Sequence, residues 1–115
     1  MPKYLLVYRD RWPIKPPSPA EMQASMEKWG AWIGKFTQSG QMISPGDGLE
    51  PSGKLLRPQG VVSDGPYVES KEVIGGYSIV QADDYDGAMA IARECPALQP
   101  GEGGSVEIRQ LAGYV

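Results

Sequence analysis

The segment at residues 3–9 constrains the fold most, because it is apolar on both sides. It lies between Pro2 and a polar break at residues 10–13, and its aromatic and aliphatic residues predict a strand. Successive side chains of a strand point to opposite faces. One face carries Tyr4, Leu6 and Tyr8, and the other carries Leu5 and Val7. A strand that is apolar on both faces belongs in the interior of a sheet.

A helix is predicted after the loop at residues 13–17, because three start signals coincide. Ser18 can cap the helix, Pro19 suits its first position, and Glu21 completes a capping box. Apolar residues then recur every three or four positions, as on one face of a helix. They are Met22, Met26, Trp29, Ile33 and Phe36. Trp32 widens this face, either as a core residue or as the wall of a pocket or subunit contact, and Gly40 ends the helix.

The rest of the chain supplies further strands and a second helix. The predicted strands lie at residues 42–43, 54–56, 61–63, 77–82 and 106–111. Asp83 and Asp84 are predicted to cap a helix at residues 85–94. The order strand, helix, strands, helix, strand predicts a single ferredoxin-like α+β domain over residues 1–115, with both helices on one face of an antiparallel sheet. Since the other face is also apolar, we expect a second copy to cover it in a homodimer.

Composition narrows the function mainly by exclusion. The chain has 11 basic and 14 acidic residues, and its charges are not clustered, so a nucleic-acid partner is not expected. Neither a membrane-spanning segment nor a signal peptide is predicted, which favours a cytoplasmic protein. The sequence contains no histidine and one cysteine, Cys95. We therefore predict neither a cofactor nor a transition metal, and we expect Cys95 to be a small buried apolar residue.

The candidate site is the charged run DGPYVESKE at residues 64–72, which the glycine pair at 75–76 follows. Asp64 either holds the tight turn through a hydrogen bond to its own backbone or faces a ligand. The other ligand-pocket candidates in the run either form a solvated charge cluster or line a site, and the glycine pair marks a strand start or a bulge. They are Tyr67, Glu69, Lys71 and Glu72, and Tyr8 and Trp32 join them as candidate pocket walls.

With these segments in place, the chain resembles the YCII-related, or DGPF-domain, family. The resemblance rests on DGPYVESKE with GGY at residues 75–77, on the helix that ends at Cys95 and Pro96, and on GGSVEIR at residues 103–109. It implies a ferredoxin-like fold that dimerises through its sheets into an α+β barrel. The sequence departs from the family pattern in two ways. Tyr67 replaces the usual Phe, and the His–Asp pair that is associated with the wider YCII group lacks its histidine here.

Three functions are compatible with this sequence, and no catalytic residue is assigned. The first is a small-molecule-binding dimer, with or without catalysis, whose pocket lies near residues 64–72. The second is an accessory or regulatory module, which the resemblance links to sigma-factor proteins of bacterial transcription. The third is a structural dimer in which the charged groups only hold turns. A cavity lined by the charged run would favour the first function, and an exposed apolar patch would favour the second.

Overall fold

The computed structural model describes residues 1–11, 16–60, 62–65, 72–98 and 104–114. Within these ranges it contains six strands and two α-helices. In chain order they are β1 (Lys3–Arg11), α1 (Pro19–Gln38), β2 (Met42–Gly48), β3 (Gly53–Leu56), β4 (Val62–Gly65), β5 (Glu72–Gln81), α2 (Tyr85–Arg93) and β6 (Ser105–Gln110). A single 3-10 turn, Pro96–Leu98, follows α2. In the described ranges, neither helix is long and apolar enough to cross a membrane.

Four of the strands form one antiparallel sheet in the order β2-β5-β1-β6. Both helices pack on the same face of this sheet. Tyr85 of α2 meets the ring of Tyr4 edge-on at 4.9 Å, and Trp29 of α1 meets Tyr8 in the same way at 4.9 Å. The predicted α+β fold is confirmed, and its strand order is compatible with a ferredoxin-like arrangement. The interior position predicted for the first strand is confirmed as well.

Local signals at both helix starts are confirmed. The Ser18 hydroxyl accepts a hydrogen bond from the Glu21 backbone N–H at 3.1 Å, and the Glu21 carboxylate accepts one from the Ser18 N–H at 3.1 Å. At the start of α2, Asp84 Oδ1 accepts a hydrogen bond from the Gly87 N–H at 2.8 Å. These bonds pair backbone donors that have no partner within the helix. They explain why short sequence patterns located both helices to within a residue.

The predicted apolar face of α1 is buried only in part. Trp32 and Phe36 are buried and Trp29 packs partly against the core, whereas Met22 and Met26 are 50% and 63% exposed. The helix therefore meets the core cluster through its C-terminal half only. Spacing shows which side of a helix is apolar, but it does not show how much of that side has something to pack against.

Several strands are longer than predicted, among them β2, which extends to Gly48 and not only to residue 43. The differences in β1 and β5 change where the charged residues lie. β1 continues through Asp10 and Arg11, and β5 begins at Glu72 instead of residue 77. The register shifts between Tyr8 and Arg9, which makes the glycine pair part of an irregularity inside β5. A Cβ atom on Gly75 would lie 2.5 Å from Asp10 Oδ2. A larger residue at position 75 would therefore displace the Asp10 carboxylate from this position.

The second face of the sheet, which we call the open face, has no covering layer among the described residues. Leu5, Val7 and Ile79 are half-buried there, and Ile74 and Tyr77 are exposed. The molecule measures 43 × 41 × 19 Å, with a radius of gyration of 15.4 Å. A compact domain of this length has a radius of gyration of about 13 Å. The chain is therefore flat, and apolar groups remain on its broad open face.

The other two strands form a separate hairpin. β3 pairs only with β4, in a two-stranded sheet that is not hydrogen-bonded to the main one. Leu56 and Val62 face each other across it, and both are exposed. An isolated two-stranded hairpin is only marginally stable in water. The hairpin therefore depends on the chain that flanks it more than on a core of its own.

Candidate functional site

The charged run at residues 64–72 leads into one end of the main sheet. At that end Arg11 pairs with Glu72, and Arg9 pairs with Ser105. Described residues that border segments 12–15, 66–71 and 99–103 therefore meet at this end of the sheet. The ends of a rigid sheet are a common place for a binding site. Of the predicted site residues, Tyr67, Glu69 and Lys71 lie outside the described residues, so their roles stay predictions.

Asp64 lies on the hairpin, where it is the cross-strand neighbour of Lys54. Its carboxylate forms an ion pair with the Lys54 ammonium group, and its side chain is 86% exposed. An exposed pair of this kind contributes little to stability. The predicted turn would use backbone groups that follow Gly65, outside the described residues. Asp64 and Glu72 lie on strands of different sheets, so these strands do not bring the two carboxylates together as neighbours.

Tyr8 lies below α1 and belongs to a buried chain of hydroxyl groups. Its phenol donates a hydrogen bond to Ser78 Oγ at 2.7 Å, and the Ser78 hydroxyl donates one to the Pro45 carbonyl at 2.7 Å. Burial raises the pKa of the Tyr8 phenol. Tyr8 is therefore protonated at neutral pH, and its hydroxyl ties β1 to β5 and β2. This arrangement suits a residue that positions strands and not one that exchanges protons.

Asp10 is a residue at this end of the sheet that the sequence patterns missed. Its carboxylate fills the space above Gly75, and its Oδ1 lies 3.5 Å from the Cβ position of Gly104. Gly75 thus gives space to this carboxylate at the end of β1, whereas a Cβ atom on Gly104 would first meet the Ala97 carbonyl oxygen at 2.7 Å. The signal in the sequence is an acidic residue directly after an apolar strand. It lies at a position where the sequence predicts a polar break.

Trp32 is buried between the two helices, on the same side of the sheet as Tyr8. Its Nε1 donates a hydrogen bond to the Ile91 carbonyl at 3.1 Å. Its ring meets Trp29 edge-on at 5.7 Å, and Trp29 in turn contacts Tyr8. The structure therefore links the two predicted pocket walls through Trp29. The outer side of Trp32 lines a groove between α1 and the end of α2.

Cys95 is 3% exposed and belongs to the core cluster, which confirms the prediction of a small buried apolar residue. Burial raises the pKa of its thiol to about 11. The thiol is therefore protonated at neutral pH, where only the thiolate is strongly nucleophilic. Among the described residues, no three acidic or sulfur ligands are grouped so that they could hold a metal ion.

Charged residues on the open face cluster along its β6 edge. Arg9 donates to Glu107 Oε1 from Nε at 3.1 Å and from Nη2 at 2.7 Å, and Arg109 lies 3.6 Å from Glu107 Oε2. The hydrogen bond from Arg9 is the main cause that lowers the pKa of Glu107. The open face is thus apolar along β1 and β5 and has a paired charge cluster on one side.

Comparison with known proteins identifies the family. The YCII-related domain matches residues 4–112, which is nearly the whole chain. No match is found among curated proteins. The match includes the strand that is apolar on both faces, both helices, the charged run and the final strand. The chain belongs to the YCII-related domain family.

Proposed function

We propose that the protein is a homodimer that stacks its open sheet faces and binds a small molecule near residues 64–72. The observation that carries this proposal is the open face, where Leu5, Val7 and Ile79 have no covering layer among the described residues. Apolar area that remains in contact with water lowers the stability of a single chain. A second copy that packs against the open face would bury the exposed apolar area of both chains.

The shape of the chain supports a stacked dimer. A thickness of 19 Å corresponds to one sheet and one layer of helices, and a face-to-face sheet would add a layer about 10 Å away. Arg9, Glu107 and Arg109 would form a polar border at one side of the interface, and paired charges are common at such borders. We expect the total buried area to exceed the roughly 1,000 Å² that a specific interface requires.

The proposed ligand site is the end of the sheet where the charged run joins β5. Asp10 and Glu72 bring carboxylates to the two opposite faces of this end, and Tyr8 and Trp29 bring aromatic rings on the helix-covered face, which is the Asp10 side. Such a mixture of apolar walls and a few polar groups is typical of small-molecule sites. The proposal assigns binding and names no reaction. We place the dimer in the cytoplasm.

Sedimentation velocity at micromolar concentration tests the dimer. We expect the parent protein to sediment as a dimer and Val7→Asp as a folded monomer, because the charge would be buried in the interface without a partner. Met26→Asp is the matched control, since it adds the same charge to an exposed position on α1. A monomeric parent protein, or a Val7→Asp variant that stays dimeric, would contradict the proposal.

A thermal-shift screen of small metabolites tests the ligand site, because binding to the folded state raises the melting temperature. For a compound that stabilises the parent protein, the screen is repeated with Asp64→Asn, Asp64→Ala and the exposed control Asp83→Asn. If Asp64 contacts the ligand, both Asp64 variants should lose the shift and the control should keep it. If Asp64 holds the turn, Asn should keep the shift and Ala should lower stability by on the order of 1 kcal/mol. A shift that survives Glu72→Gln and Asp10→Asn together would place the ligand elsewhere.

A further inference from the structure

A groove on the helix side of the molecule is separate from the open face and from the sheet end described above. It lies between α1 and the corner where α2 gives way to the 3-10 turn, and its volume is about 570 Å³. Small-molecule sites have volumes of about 300–1,000 Å³. The groove is therefore large enough for a small organic molecule and too small for a folded partner.

The floor of the groove is apolar. Ala31 and Trp32 contribute from α1, and Pro96 and Leu98 contribute from the 3-10 turn. Leu98 is 42% exposed although it lies beside these other apolar groups. An apolar or aromatic ligand body would remove this area from water, which is favourable at about 25 cal/mol for each Å².

The rim of the groove is basic. Lys28 and Lys35 lie two helical turns apart on α1, so they flank the apolar floor on the same side of the helix. Arg93 stands on the opposite wall, in the last turn of α2. Among the described residues that line the groove, Glu94 is the one carboxylate, and it forms an ion pair with Lys35. This concentration of positive charge lies on a chain whose formal net charge is -3.

We propose that this groove binds a small amphipathic anion, with an apolar or aromatic body on the Trp32 floor and a carboxylate, sulfonate or phosphate at the basic rim. A guanidinium group such as that of Arg93 presents a fork of donors that matches the oxygens of these anions. Lys35 and Arg93 thus place basic groups on both walls of the groove. The inference does not depend on the dimer or on the site near residues 64–72.

Fluorine NMR with 5-fluorotryptophan tests the proposal directly, since the Trp32 signal can be assigned from a Trp32→Phe variant. The probe is 2-naphthalenesulfonate, and the control compound is uncharged 2-naphthol. We expect the sulfonate to move the Trp32 signal saturably and the naphthol to bind at least tenfold more weakly. Arg93→Gln should weaken sulfonate binding about tenfold, which is the effect of losing one charge-assisted contact. Arg57→Gln, which changes the turn of the distant hairpin, should leave binding unchanged.

Glu94→Gln should change the affinity for the sulfonate in the opposite direction to Arg93→Gln. It removes the negative charge of the lining and releases Lys35, so the sulfonate should bind several-fold more tightly than to the parent protein. A merely structural role of these residues would not weaken binding in one variant and strengthen it in the other. The proposal is overturned if the Trp32 signal stays in place, if naphthol binds as well as the sulfonate, or if Arg93→Gln and Glu94→Gln change the affinity in the same direction.

Discussion

The two faces of the central sheet carry similar apolar side chains along β1 and β5 and differ in their surroundings. On the helix-covered face, Leu6 is 0% exposed and Tyr4 and Val80 are buried beside it. On the open face, Leu5, Val7 and Ile79 come from the same strands, are equally apolar and are only half-buried. Neighbouring residues of one strand thus have different roles. Apolar side chains on the first face hold the chain together, and those on the second are available to hold two chains together.

The largest effect on stability should come from a comparison of two single variants, Leu6→Ala and Val7→Ala. Leu6→Ala leaves a cavity under the helices, and we expect it to lower the free energy of unfolding by about 3 kcal/mol. Val7→Ala removes less buried area and should cost about 1 kcal/mol. The measurement is urea unfolding at two protein concentrations. If the open face forms the dimer, the loss of unfolding free energy in Val7→Ala should depend on protein concentration, because Val7 acts through dimer formation. The loss in Leu6→Ala should be the same at both protein concentrations. If the loss in Val7→Ala is also the same at both protein concentrations, the proposed difference between the two faces is wrong.

An intermediate effect is expected from the buried hydroxyl chain of the covered face. Ser78→Ala leaves the Tyr8 hydroxyl and the Pro45 carbonyl without their partner, and we expect a loss of about 2 kcal/mol. Tyr8→Phe keeps the bond from Ser78 to Pro45 and should cost about 1 kcal/mol. Ser105→Ala, an exposed serine of β6, should change stability by less than about 0.5 kcal/mol. Thermal or urea unfolding of the three variants measures this order of stability losses. Equal losses for Ser78→Ala and Ser105→Ala would show that burial does not distinguish the two serines.

The smallest effect should come from the charge cluster of the open face. Arg9 lowers the pKa of Glu107 below its ordinary value of 4.5. A carboxyl with a lower pKa when folded binds fewer protons in the folded state, so its stabilising contribution is present above pH 4.5 and is lost as the pH falls through the folded pKa. The effect is small because the side chain is 37% exposed and solvent screens its charge.

We therefore expect Glu107→Gln to lose stability less steeply than the parent protein below pH 4.5, as followed by urea midpoints across the acid range. Glu50→Gln, which removes an exposed loop carboxylate, is the control and should match the parent profile. Superimposable acid profiles for Glu107→Gln and the parent protein would mean that the pair with Arg9 does not contribute.

The sequence predicted those parts of the fold that depend on neighbouring residues. Ser18 with Glu21 and Asp84 located the helix starts, because a capping bond joins residues three positions apart. Alternation within residues 3–9 predicted both faces of β1. Met22 and Met26 share the apolar face of α1 and are nevertheless exposed, since periodicity contains no information about which surface a helix meets. The sequence predicts Glu72 in a solvated charge cluster or a site wall, and it lies in β5 because Arg11, 61 positions earlier in the chain, pairs with it.

The candidate site was less predictable than the fold for the same reason. Asp10 reaches its place beside Gly75 and Gly104 only once three separate segments have come together. The basic groove likewise combines residues of α1 with residues about 60 positions further along the chain. Short patterns cannot predict such pairings, because their partners are set by packing and not by spacing.

The central position of β1 also has a consequence for the nascent chain during translation. Both strands that pair with it, β5 and β6, lie far along the chain, and the Arg9–Glu107 contact spans 98 positions. A ribosome adds about 5–20 residues each second, so β1 waits for several seconds with both of its edges unpaired. An apolar strand with open edges is a template for aggregation. We therefore expect the unpaired edges of β1 to be most exposed to aggregation during translation, before β5 and β6 have been added.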